Sequence, residues 1–177
     1  PPPAGEPTTM SGPWCAQLDT LLEDRRLHWW QVHGAWKHPD RTAVTGPERI
    51  PVAPHHYLCD GQLTNCVPQP GTDRRLDSQG DKLMARLAYR RIGNRESIVA
   101  THSINSANGG GGVRWYEFRV GANRRVNMYQ QGTYAPDSLY RWLGSAAMDR
   151  FGNIGTGYSL GGLPHFPGHR VADRPAN

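Results

Sequence analysis

No apolar run in this chain approaches the ~18 residues that a membrane-crossing helix needs, which excludes a helical membrane span. The chain opens without the charged start and apolar core of a signal peptide, so a secreted parent would carry its signal upstream of Pro1. A serine nucleophile elbow, a phosphate-cradling glycine loop and a dinucleotide fingerprint are missing too. Gly109 to Gly112 is glycine-rich but lacks the Lys-Ser or helix that would have to follow. Lysine is nearly absent: Lys37 and Lys82 stand against eighteen arginines, so the net charge of +5 rests almost wholly on guanidinium groups. Basic pairs occur at Arg25-Arg26, Arg74-Arg75, Arg90-Arg91 and Arg124-Arg125 and could fork around phosphate, sulfate or carboxylate groups. They are widely scattered and not interleaved with aromatics. They therefore read as solvated turn and edge residues, and no nucleic-acid partner is expected.

Hydrophobic residues make up only 37% of the 177, enough for one core or two small ones. What is abundant is glycine (21) and proline (15), together about a fifth of the chain against roughly 12% in average usage. That composition predicts many short strands joined by turns, with no long helix.

A repeated segment gives the strands an order. Ala88-Tyr-Arg-Arg-Ile-Gly93-Asn94 returns as Ala147-Met-Asp-Arg-Phe-Gly152-Asn153, each copy lying between apolar runs. The two Gly-Asn pairs are 59 residues apart, a period that suits one four-stranded antiparallel unit with generous loops, as in a propeller blade. The Asp149–Asn153 segment has some of the letters of a calcium loop but only two clear oxygen side chains. Hairpin turns in which Gly and Asn accept positive φ explain both copies better.

The fold expected is all-β, with antiparallel four-stranded sheets amounting to about two blades of a β-propeller-like array. Residues 1–26 read as a Pro-rich arm followed by an irregular segment, and 27–177 as blades: a half, a whole at about 82–134, and a half. In the first half, Leu27 to His33 is a strand, with Thr42 to Thr45 and Ile50 to Val52 after a His-Pro-Asp turn. Residues 53–80 form a long connection of the kind that is functional or covers an edge. The whole unit comprises Leu83–Arg91, Ser97–Asn105, Val113–Val120 and Val126–Thr133. Its third strand alternates, with Val113, Trp115, Glu117 and Arg119 on one face and Arg114, Tyr116, Phe118 and Val120 on the other. Aromatics on both faces imply a sheet sandwiched between neighbours. The Ser106–Gly112 connection should be the most mobile interior loop. Trp142–Met148 and Ile154–Leu160 start the next unit, and 161–177 is turn-rich, with room for one more short strand.

Of the three cysteines, Cys59 and Cys66 close a short loop between Pro54 and Pro68 and are expected to form a disulfide. A metal reading of the same loop would have only His55-His56 to draw on. Cys15 is left over. His28, His33 and His38 recur every five residues, which puts successive members on opposite faces of a strand, and His165 and His169 have no evident carboxylate, so no metal site is expected.

The series Val67-Pro-Gln-Pro-Gly71, Asp81-Lys-Leu-Met-Ala-Arg-Leu-Ala-Tyr-Arg90, Val113-Arg-Trp-Tyr-Glu117, Tyr129-Gln-Gln-Gly-Thr-Tyr-Ala-Pro-Asp137 and Ala147-Met-Asp-Arg-Phe-Gly-Asn-Ile154 resembles a family of large, uncharacterised secreted bacterial proteins with propeller-like repeats. The resemblance runs from about Leu27 to Arg170. It implies an extracellular setting and a β-propeller of which this chain is the C-terminal part, and it carries no catalytic residues.

Glycoside hydrolysis needs two carboxylates about 5 to 10 Å apart. Asp81, just before the first strand of the whole unit, and Asp137, in the corresponding connection one unit on, are the best placed. A sialidase-like variant would cast Tyr89 as nucleophile with Arg86 and Arg141 holding a carboxylate. Trp115, Tyr116 and Trp142 offer faces on which sugar rings could stack. The function expected is a non-catalytic extracellular binding or assembly module for a glycan or protein, without a cofactor. The rival is a fragment of a glycosidase- or sialidase-like propeller hydrolase. An open array exposes sheet faces and edges, so association with copies of itself or a complementary chain is expected.

Overall fold

The structure, a computed structural model, describes residues 8–11, 25–61, 65–84 and 86–176. Cys15 and the irregular segment around it lie outside these residues. The described chain is all-β and antiparallel, with no α-helix.

Strands β1 (Thr8–Ser11), β2 (Arg26–His33) and β3 (Ala43–Pro51) form a first sheet in that order. Part of the Pro-rich arm is therefore a strand, and the leading unit has three strands where the sequence showed two. A 3-10 turn at Pro39–Arg41 joins β2 to β3, so the two short runs read from sequence are one strand that begins at Ala43. The long connection is not structureless. It holds a 3-10 segment at Leu58–Gly61 and a small ladder of β4 (Asn65–Val67) with β5 (Leu76–Asp77).

The second sheet is an up-and-down meander of β6 (Ala88–Ile92), β7 (Arg95–Asn105), β8 (Gly111–Val120) and β9 (Val126–Tyr134). The expected first strand from Leu83 is broken: Leu83 makes only an isolated bridge to His102, and regular pairing resumes at Ala88. The free edge of the long β7 is thus covered in turn by β6, by Leu83 and by Tyr57, which bridges to Ile104. The third sheet contains β10 (Tyr140–Met148), β11 (Ile154–Gly162) and β12 (His165–Arg174). The turn-rich tail therefore supplies a ten-residue edge strand.

The two Gly-Asn segments both join the first and second strands of a sheet, yet their turns differ. Ile92 pairs with Arg95 across a two-residue turn in which Gly93 alone has positive φ (58°), the pattern that favours glycine at the first central position. Met148 pairs with Ile154 across five residues, and there the Asp149 side chain accepts from the Phe151 and Asn153 amides at 2.8 and 2.9 Å. Phe151, the counterpart of Ile92, lies in this wider turn. Neither Asn adopts positive φ, contrary to the expectation from sequence.

The sheets stack face to face with the four-stranded one in the middle. Side chains alternate on β7 and β8, so one face turns Ile98, Ala100, Tyr116 and Phe118 onto Leu27, Trp29, Ile50 and Val52 of the first sheet and its flank. Trp29 and Phe118 ring centres are 5.3 Å apart. The other face turns Val99, Val113 and Trp115 onto Met148, Ile154, Tyr158 and Leu160 of the third sheet. Here Thr101 donates to the Gly144 carbonyl at 2.7 Å, and Ser103 accepts from the Leu143 amide. The Ser106–Gly112 connection exposes Ala107 to Gly109 and is tightly packed at Gly110 to Gly112. A Cβ at Gly110 would lie 2.2 Å from the Ser138 carbonyl oxygen, so glycine is needed there for close approach of two backbones.

Candidate functional site

The face of the middle sheet that meets the first sheet carries a polar row beyond the apolar patch. His102 on β7, Arg114 on β8 and Thr133 on β9 are cross-strand neighbours. The first sheet does not reach them; the start of the long connection does. Ala53 donates its amide to Gln131 Oε1 (2.9 Å), and the His56 carbonyl accepts from the Asn105 amide (2.8 Å), which holds residues 53–57 over the row.

Four rings gather there. His55 and His102 meet edge to face with centroids 4.7 Å apart, Tyr57 lies 5.2 Å from each, and Tyr116 stacks on His102 at 6.4 Å. The Tyr116 hydroxyl and His102 Nδ1 are 3.3 Å apart. His102 is fully buried, and its Nε2 has no hydrogen-bond partner among the described residues. Burial first, then the nearby His55 and the Arg114 charge, push its pKa well below the ordinary histidine value and keep the ring neutral. Burial likewise raises the Tyr116 phenol, so it stays protonated. Beside this cluster opens a cleft of about 490 Å³, bordered by His55, His56, Asn105, Asn108, Arg114 and Thr133.

The residues singled out from sequence lie elsewhere. Asp81 is buried and faces Lys82 at 3.2 Å. Asp137 is bound by both terminal nitrogens of Arg141, at 2.8 and 2.7 Å. That pairing holds the Asp137 carboxyl at about 2, well below its usual value, so it stays ionised and is unsuited to be a general acid. Among the described residues each carboxylate is taken up by a basic neighbour of its own, Asp81 by Lys82 and Asp137 by Arg141. Tyr89 donates to Glu96 at 2.8 Å, and burial together with that bond raises its phenol to about 12, which leaves it a poor nucleophile. Arg86 and Arg141 do not face it together: Arg86 lines a trough on the third sheet, while Arg141 is buried against Asp137.

The aromatic faces offered to sugars are corrected in the same way. Tyr116 and Trp142 are buried, at 0% and 3% exposure, and Trp115 packs between the second and third sheets with Val99, Met148 and Ile154. Tyr116 fills the interface of the first and second sheets and Trp142 lies under the disulfide loop, so neither presents an open face, while Trp115 stays partly exposed. The Cys59–Cys66 disulfide is present and does structural work, since both sulfurs lie against Leu58, Val67 and Trp142. Among the described residues no group of three or more His, Cys, Asp or Glu side chains converges in a way that could hold a metal ion.

Sequence reading passed over His102 and the role of Arg114. One signal was legible: Arg114 shares the strand face of Tyr116 and Phe118, a charge in an apolar register. Its partner segment, 53–57, is some 60 residues distant, which no local pattern discloses. No family model, curated protein or solved structure matches the chain.

Proposed function

We propose that this chain is a non-catalytic extracellular assembly and binding module, built as consecutive blades of a propeller-like array that is completed by a second copy of the chain. The observation that carries this reading is the third sheet's far face. The middle sheet is covered on both sides, whereas the far face of the third sheet is a trough of about 580 Å³ floored by Gly155, Gly157, Ser145 and Ala147. Val171, 84% exposed, borders it together with Arg86 and Asp173. Small residues at the floor let another sheet approach closely, and beside it β12 offers an edge that is unpaired among the described residues. The disulfide fits an oxidising compartment, and no helix among the described residues is long and apolar enough to cross a membrane.

Light scattering on the purified chain tests the assembly. A dimer or larger species is expected at micromolar concentration. Gly155→Glu projects into open space in the isolated chain, so it should leave the fold intact and dissociate the assembly. A monodisperse monomer, or an oligomer indifferent to Gly155→Glu and Val171→Glu, would overturn the reading.

A further inference from the structure

One buried cation has no counter-charge among the described residues. Of the two buried arginines among the described residues, Arg141 is held by the Asp137 carboxylate, whereas Arg114, 7% exposed, meets only neutral oxygens. Its Nε donates to Thr133 Oγ1 at 2.7 Å, and its Nη1 reaches Gln131 Oε1 and the Ala53 carbonyl at 3.3 and 3.4 Å. Its Nη2 has no acceptor among the described residues. A guanidinium withdrawn from water without an acid loses hydration that neutral oxygens restore only in part. The wall around it offers no acid: the cleft that Arg114 lines contains neither Asp nor Glu, and two imidazoles, His55 and His56, border it.

We infer that the Arg114 cleft is a binding site for an oxyanion group, a carboxylate or sulfate, carried by a small ligand of about sugar-acid size. Arg114 Nη2 supplies the charged donor, and a planar guanidinium fixed by Thr133 and Gln131 is already oriented to receive it. A volume of about 490 Å³ lies within the range of small-ligand sites. Asn105 and Asn108 at the rim add polar groups suited to hydroxyls. The site faces the first-sheet side of the middle sheet, so it is separate from the assembly face and does not depend on that proposal.

Isothermal titration calorimetry on the full chain at pH 7 and low salt tests it, with sodium galacturonate, sodium sulfate and neutral galactose as probes. Saturable binding near one per chain is expected for galacturonate or sulfate and absent for galactose. Binding by sulfate identifies a site for compact free anions, and binding by galacturonate alone identifies one for sugar acids. Arg114→Gln should weaken binding about tenfold or more, the effect of losing one charge-assisted hydrogen bond. Because Arg114 also supports the fold, Ala107→Trp serves as a second variant. Ala107 is exposed at the cleft mouth, and the indole should block entry with the charge unchanged. The exposed Arg170→Gln should bind as the parent does. Absence of saturable binding by both anions, equal binding of galactose, or equal losses in Arg170→Gln would overturn the assignment.

Discussion

Lowering the pH from 7 to 5 should destabilise this fold through His102. The ring is fully buried, and its pKa in the folded state lies well below the ordinary 6.5 because burial, His55 and Arg114 all oppose its protonation. Above pH 6.5 the ring is neutral whether the chain is folded or not, and it contributes nothing to the pH dependence. Below that value the unfolded chain binds a proton that the folded chain refuses, so stability falls as pH falls. The slope is about 1.4 kcal/mol per pH unit for one proton, and the accumulated loss by pH 5 is about 2 kcal/mol while the folded ring stays neutral. Against a total of about 5–15 kcal/mol this is a large share. Urea unfolding at pH 7, 6 and 5 measures it, with His102→Gln as the comparison. The glutamine amide can keep a hydrogen bond to the Tyr116 hydroxyl and cannot titrate. The other histidines are common to both proteins, so the difference between the two curves reports His102 and its coupling to His55, 4.7 Å away. The variant's stability should be flatter by about one proton between pH 6.5 and 5, even if it is lower throughout. Parallel curves would refute the assignment of a neutral, sealed ring.

Phe118→Ala removes the ring that joins the first and second sheets, and it should cost about 3–5 kcal/mol in urea unfolding, as large core truncations do. A loss under about 1 kcal/mol would mean that the two sheets do not stack. Asp137→Asn leaves the buried Arg141 guanidinium without its acid; because Asp137 is half-exposed and screened, the expected loss is about 1–2 kcal/mol, read as a lowered Tm at pH 7. Cys59→Ser with Cys66→Ser opens an eight-residue loop, for which chain entropy predicts a loss of about 2 kcal/mol, and thiol titration of the denatured parent should find these two sulfurs unreactive until reduced.

Sequence pattern disclosed those strands whose side chains alternate. In β8 the period of two separates Trp115 from Tyr116 and Phe118, and each set packs on a different neighbouring sheet. It failed where backbone pairing, not side-chain burial, makes the strand. β1 is four residues of an arm rich in Pro and Gly, and it exists because β2 offers an edge to it. β12 contains Pro167 and Gly168, which argue against a central strand but are tolerated at an edge, where one side of the backbone needs no partner. The candidate carboxylates and aromatics were chosen by type and position in the repeat. Most of those residue types were already spent on structure, Asp137 on Arg141 and Trp142 on the disulfide loop.

The long connection explains why the polar cleft arises where it does. Stacked sheets bury their faces against one another, so their interfaces are filled by Trp29, Phe118, Trp115 and Ile154 and have no room for chemistry. The middle sheet's strands run on beyond the first sheet, which leaves the row of His102, Arg114 and Thr133 without an apolar lid. Residues 53–57 close over that row by borrowing the edge of β7 at Ile104 and a side chain of β9 at Gln131, and they bring His55 with them. A segment held mainly by hydrogen bonds cannot seal a charge as a packed sheet would, so Arg114 is withdrawn from bulk water yet remains at the wall of an open cleft. That is the condition under which a guanidinium gains most from an arriving oxyanion: its own solvation has already been lost, and its orientation is already fixed.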